Sequence, residues 1–129
     1  MRKKILIVDD EPNIVAALEF LLRQRGYEVH IANDGEEALK LVEACVPDLV
    51  LLDVMMPIRS GYEVCARIRE REDLRHIKVV MLSARGRDAE ISRGLALGAD
   101  LYVMKPFSTR ELTAKIKGLL EQVSPPGPV

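Results

Sequence analysis

Short apolar runs alternate with stretches of helical periodicity along the whole chain. Most of the runs lack polar alternation, which is typical of strands that are covered on both faces of a sheet. They predict strands at residues 5–8, 28–32, 49–52, 79–82 and 101–104. Between and after these runs, apolar residues recur every three or four positions, which indicates amphipathic helices.

Residues that begin or end helices flank the periodic stretches. Pro12 suits the first turn of a helix, and Gly26 suits the point where that helix stops. Asp34 is placed to cap the second helix, and Ser108 with Glu111 forms a capping-box pattern before the last one. The five predicted helices cover residues 12–26, 34–45, 61–68, 91–98 and 108–120.

Five strands alternating with five helices predict a doubly wound α/β fold, with a parallel sheet and helices on both faces. A length of 129 residues with 48% hydrophobic residues is enough for one domain with one core. We predict that this domain covers residues 1–123. Residues 124–129 contain three prolines, so we predict a proline-rich tail or linker stub there.

Charge and composition exclude several classes of protein. Lys and Arg number 19 and Asp and Glu number 20, so the domain lacks the basic excess of a nucleic-acid binder. No apolar segment approaches the roughly 18 residues of a membrane span. The two cysteines form neither a disulfide framework nor a metal motif. We therefore expect a cytoplasmic protein that binds neither nucleic acid nor membrane through this domain.

Several reactive or charged residues have a plain structural interpretation. Cys45 and Cys65 lie on apolar helical stripes, which predicts packing residues. His30 has no metal-ligand spacing, so we predict no role for it. Arg69 belongs to a run of mixed charges at 67–75, which predicts a solvated helix end.

Polar residues follow four of the five predicted strands, and they carry the candidate chemistry. These residues are Asp9 and Asp10, Asp53, Ser83, and Lys105. The carboxyl ends of parallel strands share one edge, where open α/β sheets bind ligands. Neighbouring strands are about 4.8 Å apart, so Asp10 and Asp53 on adjacent strands are expected to reach one small ion.

The side-chain types at this edge favour phosphoryl chemistry. Carboxylates without a nearby histidine suit a hard cation, with Mg²⁺ favoured over Zn²⁺ or iron. Lys105 would add a fixed positive charge, and Ser83 a hydroxyl. A carboxylate beside Mg²⁺, an ammonium and a hydroxyl is what an acyl-phosphate acceptor requires.

Five motifs occur in order along the chain and together resemble one known family. They are Ile-Leu-Ile-Val-Asp-Asp-Glu at 5–11, Asp-Leu-Val-Leu-Leu-Asp-Val-Met-Met-Pro at 48–57, Ser-Ala at 83–84, Gly-Ala-Asp at 98–100 and Lys-Pro-Phe at 105–107. Over roughly residues 3–122 the chain resembles the CheY-like receiver domain of two-component response regulators. The resemblance implies a flavodoxin-like fold with strand order 2-1-3-4-5.

The resemblance implies a role for each matching residue. Asp53 would be the phosphoacceptor, which takes its phosphoryl group from a histidine kinase or a phosphotransfer protein. Asp10 would ligate Mg²⁺ directly, Asp9 would act mainly through water, and the backbone carbonyl of Met55 would be a further ligand. Such a domain is not an enzyme with a separate substrate, but it promotes its own phosphorylation and dephosphorylation.

The remaining implied roles concern the phosphoryl group and the switch. Ser83 and Lys105 would each bind a phosphoryl oxygen, and the bond from Lys105 to Pro106 would be cis. Tyr102 matches the family's switch aromatic, which turns inward when Ser83 is pulled toward the phosphate. The output face would consist of the fourth helix, the fifth strand and the fifth helix, and it would contact a second copy or an output partner.

Apolar residues stand at positions of the output face where relatives with winged-helix DNA-binding outputs usually carry charges. These residues are Ile91, Leu97 and Leu101, and they argue against that output class. Leu97 and Leu101 near this face predict a surface that a partner or a second copy covers.

Two alternative functions remain at the level of the sequence. A degenerate receiver would act only as an interaction module, but the acid pair, acceptor, hydroxyl and lysine are all intact. A phosphohydrolase of the haloacid-dehalogenase type also uses an Asp nucleophile and Mg²⁺. That class requires a second acid two residues after the nucleophile, where this chain has Met55. A nucleotide-binding domain has almost no support, because neither common glycine-rich phosphate motif is present.

Overall fold

A computed structural model of the chain describes residues 2–56, 58–84 and 87–121. Five parallel strands form one sheet in the order β2-β1-β3-β4-β5, which confirms the predicted doubly wound α/β fold and its strand order. The strands are β1 (Lys4–Val8), β2 (Glu28–Ala32), β3 (Leu49–Asp53), β4 (Lys78–Ser83) and β5 (Leu101–Met104). The helices are α1 (Pro12–Gln24), α2 (Gly35–Cys45), α3 (Gly61–Glu70), α4 (Asp88–Ala96) and α5 (Thr109–Glu121). The predicted tail at 124–129 and the motif residue at position 57 lie outside the described residues.

Side-chain caps begin the helices where the sequence predicts them. Asp34 Oδ1 accepts a hydrogen bond from the amide of Glu37 at 2.8 Å, before α2. Ser108 Oγ accepts one from the amide of Glu111 at 3.2 Å, before α5. Each bond satisfies an amide that has no partner within its helix, so these caps hold the helix starts in place.

Two apolar layers cover the sheet, one on each face. Alternate residues of β1 divide between them, because successive side chains of a strand point to opposite faces. Leu6 and Val8 pack with α2 and α3, whereas Ile5 and Ile7 pack with α1 and α5. All five residues of the central strand β3 are buried, which explains its continuous apolar run.

A glycine at the start of α3 brings that helix against the end of β3. A Cβ atom on Gly61 would lie 2.5 Å from the carbonyl oxygen of Asp53, closer than packed atoms allow. The amide of Gly61 also donates to the carbonyl of Val54 at 3.0 Å. The close approach of α3 therefore limits the freedom of the backbone that carries Asp53.

Arg69 is not part of a solvated helix end, so the sequence-based interpretation is wrong for this residue. Its guanidinium donates to the carbonyls of Gly98 at 2.9 Å, Arg75 at 3.1 Å and Ile77 at 2.7 Å, and to the carboxylate of Asp100 at 3.0 Å. Only 20% of the side chain is exposed. Arg69 thus ties the end of α3 to the segments that lead into β4 and β5. These partners are 6 to 31 residues away along the chain, so local charge patterning does not reveal them.

Leu97 and Leu101, the two apolar residues that the sequence places near the output face, pack on opposite sides of the sheet. Leu97 is half-buried against the α2–α3 layer, whereas Leu101 is half-buried against the α1–α5 layer. The large apolar side chains exposed near β5 are instead Leu95 of α4 and Met104 of β5. Tyr102 packs against the α2–α3 layer, on the opposite side of β5 from Leu101, as strand alternation predicts. No helix among the described residues is long and apolar enough to cross a membrane.

We expect Arg69→Met to lower the free energy of unfolding by about 2–3 kcal/mol, because it leaves part-buried carbonyls without their charged donor. Methionine keeps an unbranched apolar stem, so packing changes little. Urea denaturation measures the difference. The matched control is Arg67→Met, at an exposed position of the same helix. Equal losses in the two variants would contradict this account.

Candidate functional site

The carboxyl edge of the sheet gathers the polar residues that the sequence places at strand ends. Asp53 and Ser83 are the last residues of β3 and β4, while Asp9 and Lys105 directly follow β1 and β5. The pairing register of β1 on β3 places Asp9 beside Asp53. The register of β4 places Ser83 one residue beyond the partner of Asp53. The structure therefore brings these four residues together.

Lys105 is the cation at the centre of this edge. Its Nζ lies 3.0 Å from Asp9 Oδ2, 3.0 Å from Glu11 Oε1 and 3.6 Å from Asp53 Oδ2. Burial opposes its charge, but the hydrogen bonds to Glu11 and Asp9 outweigh burial and raise the pKa of Lys105 above its ordinary value. The ammonium therefore stays protonated at neutral pH. The bond from Lys105 to Pro106 is cis, as the resemblance implied.

Asp53 is a buried carboxylate in a mixed electrostatic environment. Burial, followed by the neighbouring Asp9, raises the pKa of Asp53 to about 6, although Lys105 acts in the opposite direction. Its Oδ1 accepts a hydrogen bond from the amide of Met55 at 3.2 Å. At neutral pH the group is mostly ionised but poorly solvated, which suits a carboxylate nucleophile.

Three acids at this edge have the donor chemistry of a divalent-cation site. Asp9, Asp10 and Asp53 each offer one carboxylate oxygen, and these oxygens lie within 4.8 Å of one another. An all-oxygen set with few protein ligands fits Mg²⁺, which retains several waters. Asp9 is fully buried, with Oδ1 accepting from the amide of Glu11 and Oδ2 accepting from Lys105, whereas Asp10 is exposed. The two adjacent acids therefore have different freedom to bind an ion.

Met55 and Tyr102 occupy different surroundings. Met55 lies at the site, where its amide bonds to Asp53 and its side chain is half exposed. Tyr102 instead lies in the middle of β5, among α3 and α4 residues. A Cβ atom on Gly94 would lie 3.1 Å from the Tyr102 ring, so this glycine leaves room for the ring. The structure does not bring Tyr102 into the acid cluster.

Lys105 and Tyr102 are each hydrogen-bonded to a residue for which the sequence predicted no role. Glu11 shares Lys105 with the buried acids, and the only local signal for it is its place as the third acid of a run. Tyr62 shares a side-chain hydrogen bond with Tyr102, and burial with this bond raises the pKa of Tyr62. The Tyr62 hydroxyl donates to the carbonyl of Glu90 at 3.2 Å, and the guanidinium of Arg93 lies 4.2 Å from its ring centre. No sequence spacing indicates this second cluster, because its members come from three elements.

In metal-free buffer, we expect Asp53→Asn to raise the free energy of unfolding by about 2–3 kcal/mol at about pH 8. The pKa of Asp53 is about 6 in the folded protein against an ordinary value of 3.8. Between these values the folded state binds more protons than the unfolded state, so the stability of the native chain falls as pH rises. The difference between variant and native chain should therefore vanish below about pH 4.

Thermal or urea unfolding across this pH range tests that prediction. Asp10→Asn is the control, because Asp10 is exposed and is the weakest of the named influences on the pKa of Asp53. It should stabilise the protein much less. A stabilisation by Asp53→Asn that does not change with pH would contradict the electrostatic explanation.

Comparisons with known proteins agree with this geometry. The family model described as the response regulator receiver domain matches residues 5–117. The alkaline phosphatase synthesis transcriptional regulatory protein PhoP of Bacillus subtilis (strain 168) is 47% identical over 122 residues, which cover 95% of this chain and 50% of PhoP. The chain thus spans about half the length of this curated relative.

Solved structures of receiver domains are similar over nearly the whole chain. The CheY-like response regulator receiver domain protein from Methanospirillum hungatei JF-1 is 33% identical with a TM-score of 0.87, covering 94% of this chain and 95% of its own. The BeF3-activated N-terminal receiver domain of Klebsiella pneumoniae RstA is 28% identical with a TM-score of 0.85, and the match covers 93% of this chain and 100% of the RstA domain. With the fold, the strand-end acids and the family match in agreement, this chain belongs to the receiver domains of two-component response regulators.

Proposed function

We propose that this receiver accepts a phosphoryl group on Asp53 from the phosphohistidine of a histidine kinase or a phosphotransfer protein, in an Mg²⁺-dependent reaction. The observation that carries the proposal is the position of Lys105, whose Nζ lies 3.0 Å from Asp9 and 3.6 Å from the buried Asp53. A permanent cation beside a poorly solvated carboxylate offsets the charge that the incoming phosphoryl group brings.

The transfer forms a bond between a carboxylate oxygen of Asp53 and phosphorus, while the bond from phosphorus to the donor nitrogen breaks. Lys105 stabilises the negative charge on the phosphoryl oxygens, because it remains protonated between the buried acids. Ser83 ends the strand next to Asp53 and offers its hydroxyl to another oxygen. These two residues orient the group. The same contacts would act in dephosphorylation, in which water attacks phosphorus, the bond to the Asp53 oxygen breaks and inorganic phosphate leaves.

Asp10 is the residue that would hold Mg²⁺ directly. Both oxygens of Asp9 already accept hydrogen bonds, from the amide of Glu11 and from Lys105, which favours contact through water. The carbonyl of Met55 and the carboxylate of Asp53 would complete the protein ligands. Mg²⁺, when bound, supplies positive charge for the transferring phosphoryl oxygens.

This proposal makes the domain a phosphoacceptor that promotes its own phosphorylation and dephosphorylation, and not an enzyme with a separate substrate. The haloacid-dehalogenase alternative lacks its second acid, because an exposed Met55 stands two residues after Asp53. The degenerate-receiver alternative does not require acids, hydroxyl and lysine to converge, as they do here. A cytoplasmic location, where kinase and receiver meet, belongs to the same proposal.

We further propose that phosphorylation changes the face formed by α4, β5 and α5, which contacts a second copy or an output partner. The ring of Tyr102 packs close to Gly94 of α4, and the hydrogen bond between Tyr102 and Tyr62 connects it to α3. Leu95 and Met104 provide exposed apolar area on this face. The phosphoryl group would favour one of two pre-existing arrangements, since a ligand shifts an equilibrium only by binding one state better.

Asp53→Asn is expected to abolish the mass gain that the native chain shows after incubation with acetyl phosphate and Mg²⁺. The amide is not a nucleophile, and in Asp9, the other buried acid beside Lys105, both carboxylate oxygens already accept hydrogen bonds. Intact-mass spectrometry measures the product, with a chelator as the metal-free control. An unchanged mass gain in the variant would assign the phosphoryl group elsewhere.

The same reaction distinguishes the two adjacent acids. Asp10→Asn should raise the Mg²⁺ concentration that gives half-maximal phosphorylation roughly tenfold or more, and Asp9→Asn should raise it less. Glu70→Gln, at an exposed position of α3, is the matched control for loss of one negative charge. Equal losses at the two aspartates would contradict the distinction between direct and water-mediated contact.

Beryllofluoride, a phosphoryl mimic, should change amide chemical shifts from Asp53 through residues 87–110, outside the immediate site. A coupling of about 1–2 kcal/mol would change partner affinity roughly five- to thirty-fold. The control is Asp53→Asn, which should show no such changes. Shifts that remain near Asp53 would show that this receiver does not signal through the α4–β5–α5 face.

A further inference from the structure

A second group of reactive side chains lies at the amino-terminal edge of the sheet, opposite the phosphoacceptor. The Nε2 atom of His30 lies 2.7 Å from Glu28 Oε2, and its Nδ1 atom lies 3.9 Å from Cys45 Sγ. Glu28 and His30 are two residues apart in β2, so both face α2, whose last residue is Cys45. The three side chains therefore form a continuous row from carboxylate to imidazole to thiol.

The carboxylate determines which nitrogen of His30 carries the proton. The hydrogen bond from His30, helped by nearby cations such as Lys4, lowers the pKa of Glu28. The Glu28 carboxylate is therefore ionised at neutral pH and can only accept hydrogen bonds. Nε2 must therefore donate, and in the neutral ring Nδ1 is the acceptor that faces Cys45. A thiol next to an imidazole nitrogen whose far side is held by a carboxylate is an activated nucleophile.

The surroundings of Cys45 permit reaction with a small molecule. Cys45 is half-buried, and the side chains of His30 and Glu28 are 33% and 44% exposed. Cys65 differs in each respect, because it is fully buried and its Sγ donates to the carbonyl of Leu97. Burial raises the pKa of Cys65 to about 11. The chain thus contains its own unreactive thiol for comparison.

Lys4 offsets one unfavourable feature of the position. The carboxyl end of a helix carries partial negative charge, which opposes a thiolate there. The Nζ atom of Lys4 donates to the carbonyl of Cys45 at 3.2 Å, so it satisfies a terminal carbonyl and places a positive charge at the end of α2. The thiol is therefore not left beside an uncompensated helix end.

We propose that Cys45 is a thiol–disulfide exchange site, with His30 as its base and Glu28 as the positioning residue for His30. The thiol proton passes to Nδ1 of His30 while the sulfur attacks one sulfur of a small disulfide. The new sulfur–sulfur bond forms as the old one breaks, and the leaving thiolate takes the proton from His30. The sulfur of Cys45 is oxidised and the leaving sulfur is reduced, so the disulfide is the only co-reactant.

This site is independent of the phosphoacceptor. Cys45 precedes β3 and Asp53 ends it, so the whole strand, about 17 Å long, separates the two residues along the sheet. Cys45→Ser should therefore leave acetyl-phosphate labelling of Asp53 unchanged. A failure of either proposal can thus be recognised without reference to the other.

The test is the rate of reaction of the whole chain with dithiodipyridine, an uncharged disulfide, near neutral pH. One fast equivalent is expected, which Cys65→Ser retains and Cys45→Ser loses. His30→Gln should slow it at least about tenfold, because the base is lost. In His30→Ala, added imidazole should restore part of the rate, which a merely structural role of His30 would not allow.

Glu28 is tested through the orientation of His30. Glu28→Gln should slow the reaction, because its amide can donate to Nε2 and so place the proton on the nitrogen that faces Cys45. Glu28→Asp keeps the carboxylate and should retain more of the rate. In denaturant, all variants that retain both cysteines should react with dithiodipyridine at the same rate. This control shows that the differences in rate depend on the folded structure. Equal folded-state rates in the native chain and His30→Gln, or a fast equivalent in Cys45→Ser, would overturn the proposal.

Discussion

Two carboxylates, Asp9 and Asp53, are buried side by side, and Lys105 is the cation that makes this arrangement tolerable. Its ammonium lies 3.0 Å from Asp9 and 3.6 Å from Asp53, with only 11% of the side chain exposed. Ionised acids without such a partner would be strongly destabilising in this environment, because burial disfavours their charge. The amide of Lys105 also donates to the carbonyl of Ser83, so one residue connects the ends of three strands. Among the described residues, Lys105 is the cation on which the two buried acids depend.

The backbone around the site is held from both sides. Gly61 lets α3 approach the carbonyl of Asp53, and the guanidinium of Arg69 fastens the other end of α3 to the segments before β4 and β5. A helix held at both ends supports the backbone of Asp53, the proposed phosphoacceptor. Conformational change is easier at the edge of the sheet, because every residue of β5 retains some exposure while all of β3 is buried.

The two edges of the sheet place their chemistry differently. At the carboxyl edge, residues from four strand ends converge, as the topology of a parallel sheet requires. At the amino edge, Glu28 and His30 meet Cys45 only because β2 and α2 pack against each other. The sequence pattern of Cys45 is that of a packing residue. The packing of α2 on β2 nevertheless places an imidazole next to its thiol and leaves the residue partly exposed to solvent.

The sequence by itself determined the elements, the alternation of the strands and helices, and the strand ends that carry Asp9, Asp53, Ser83 and Lys105. These features are local, because each can be identified from a few neighbouring residues. They are the period of apolar residues, caps such as Asp34, and the residue that follows each strand. The strand order and the residue roles required resemblance to a family. Only the tertiary structure decided that Lys105 bonds to Asp9, 96 residues away, and that Glu11 shares it. Two further features are properties of packing: the raised pKa of Asp53, which is buried beside a second acid, and the hydrogen bonds that the Arg69 guanidinium donates. Both depend on atoms that no local sequence pattern brings together.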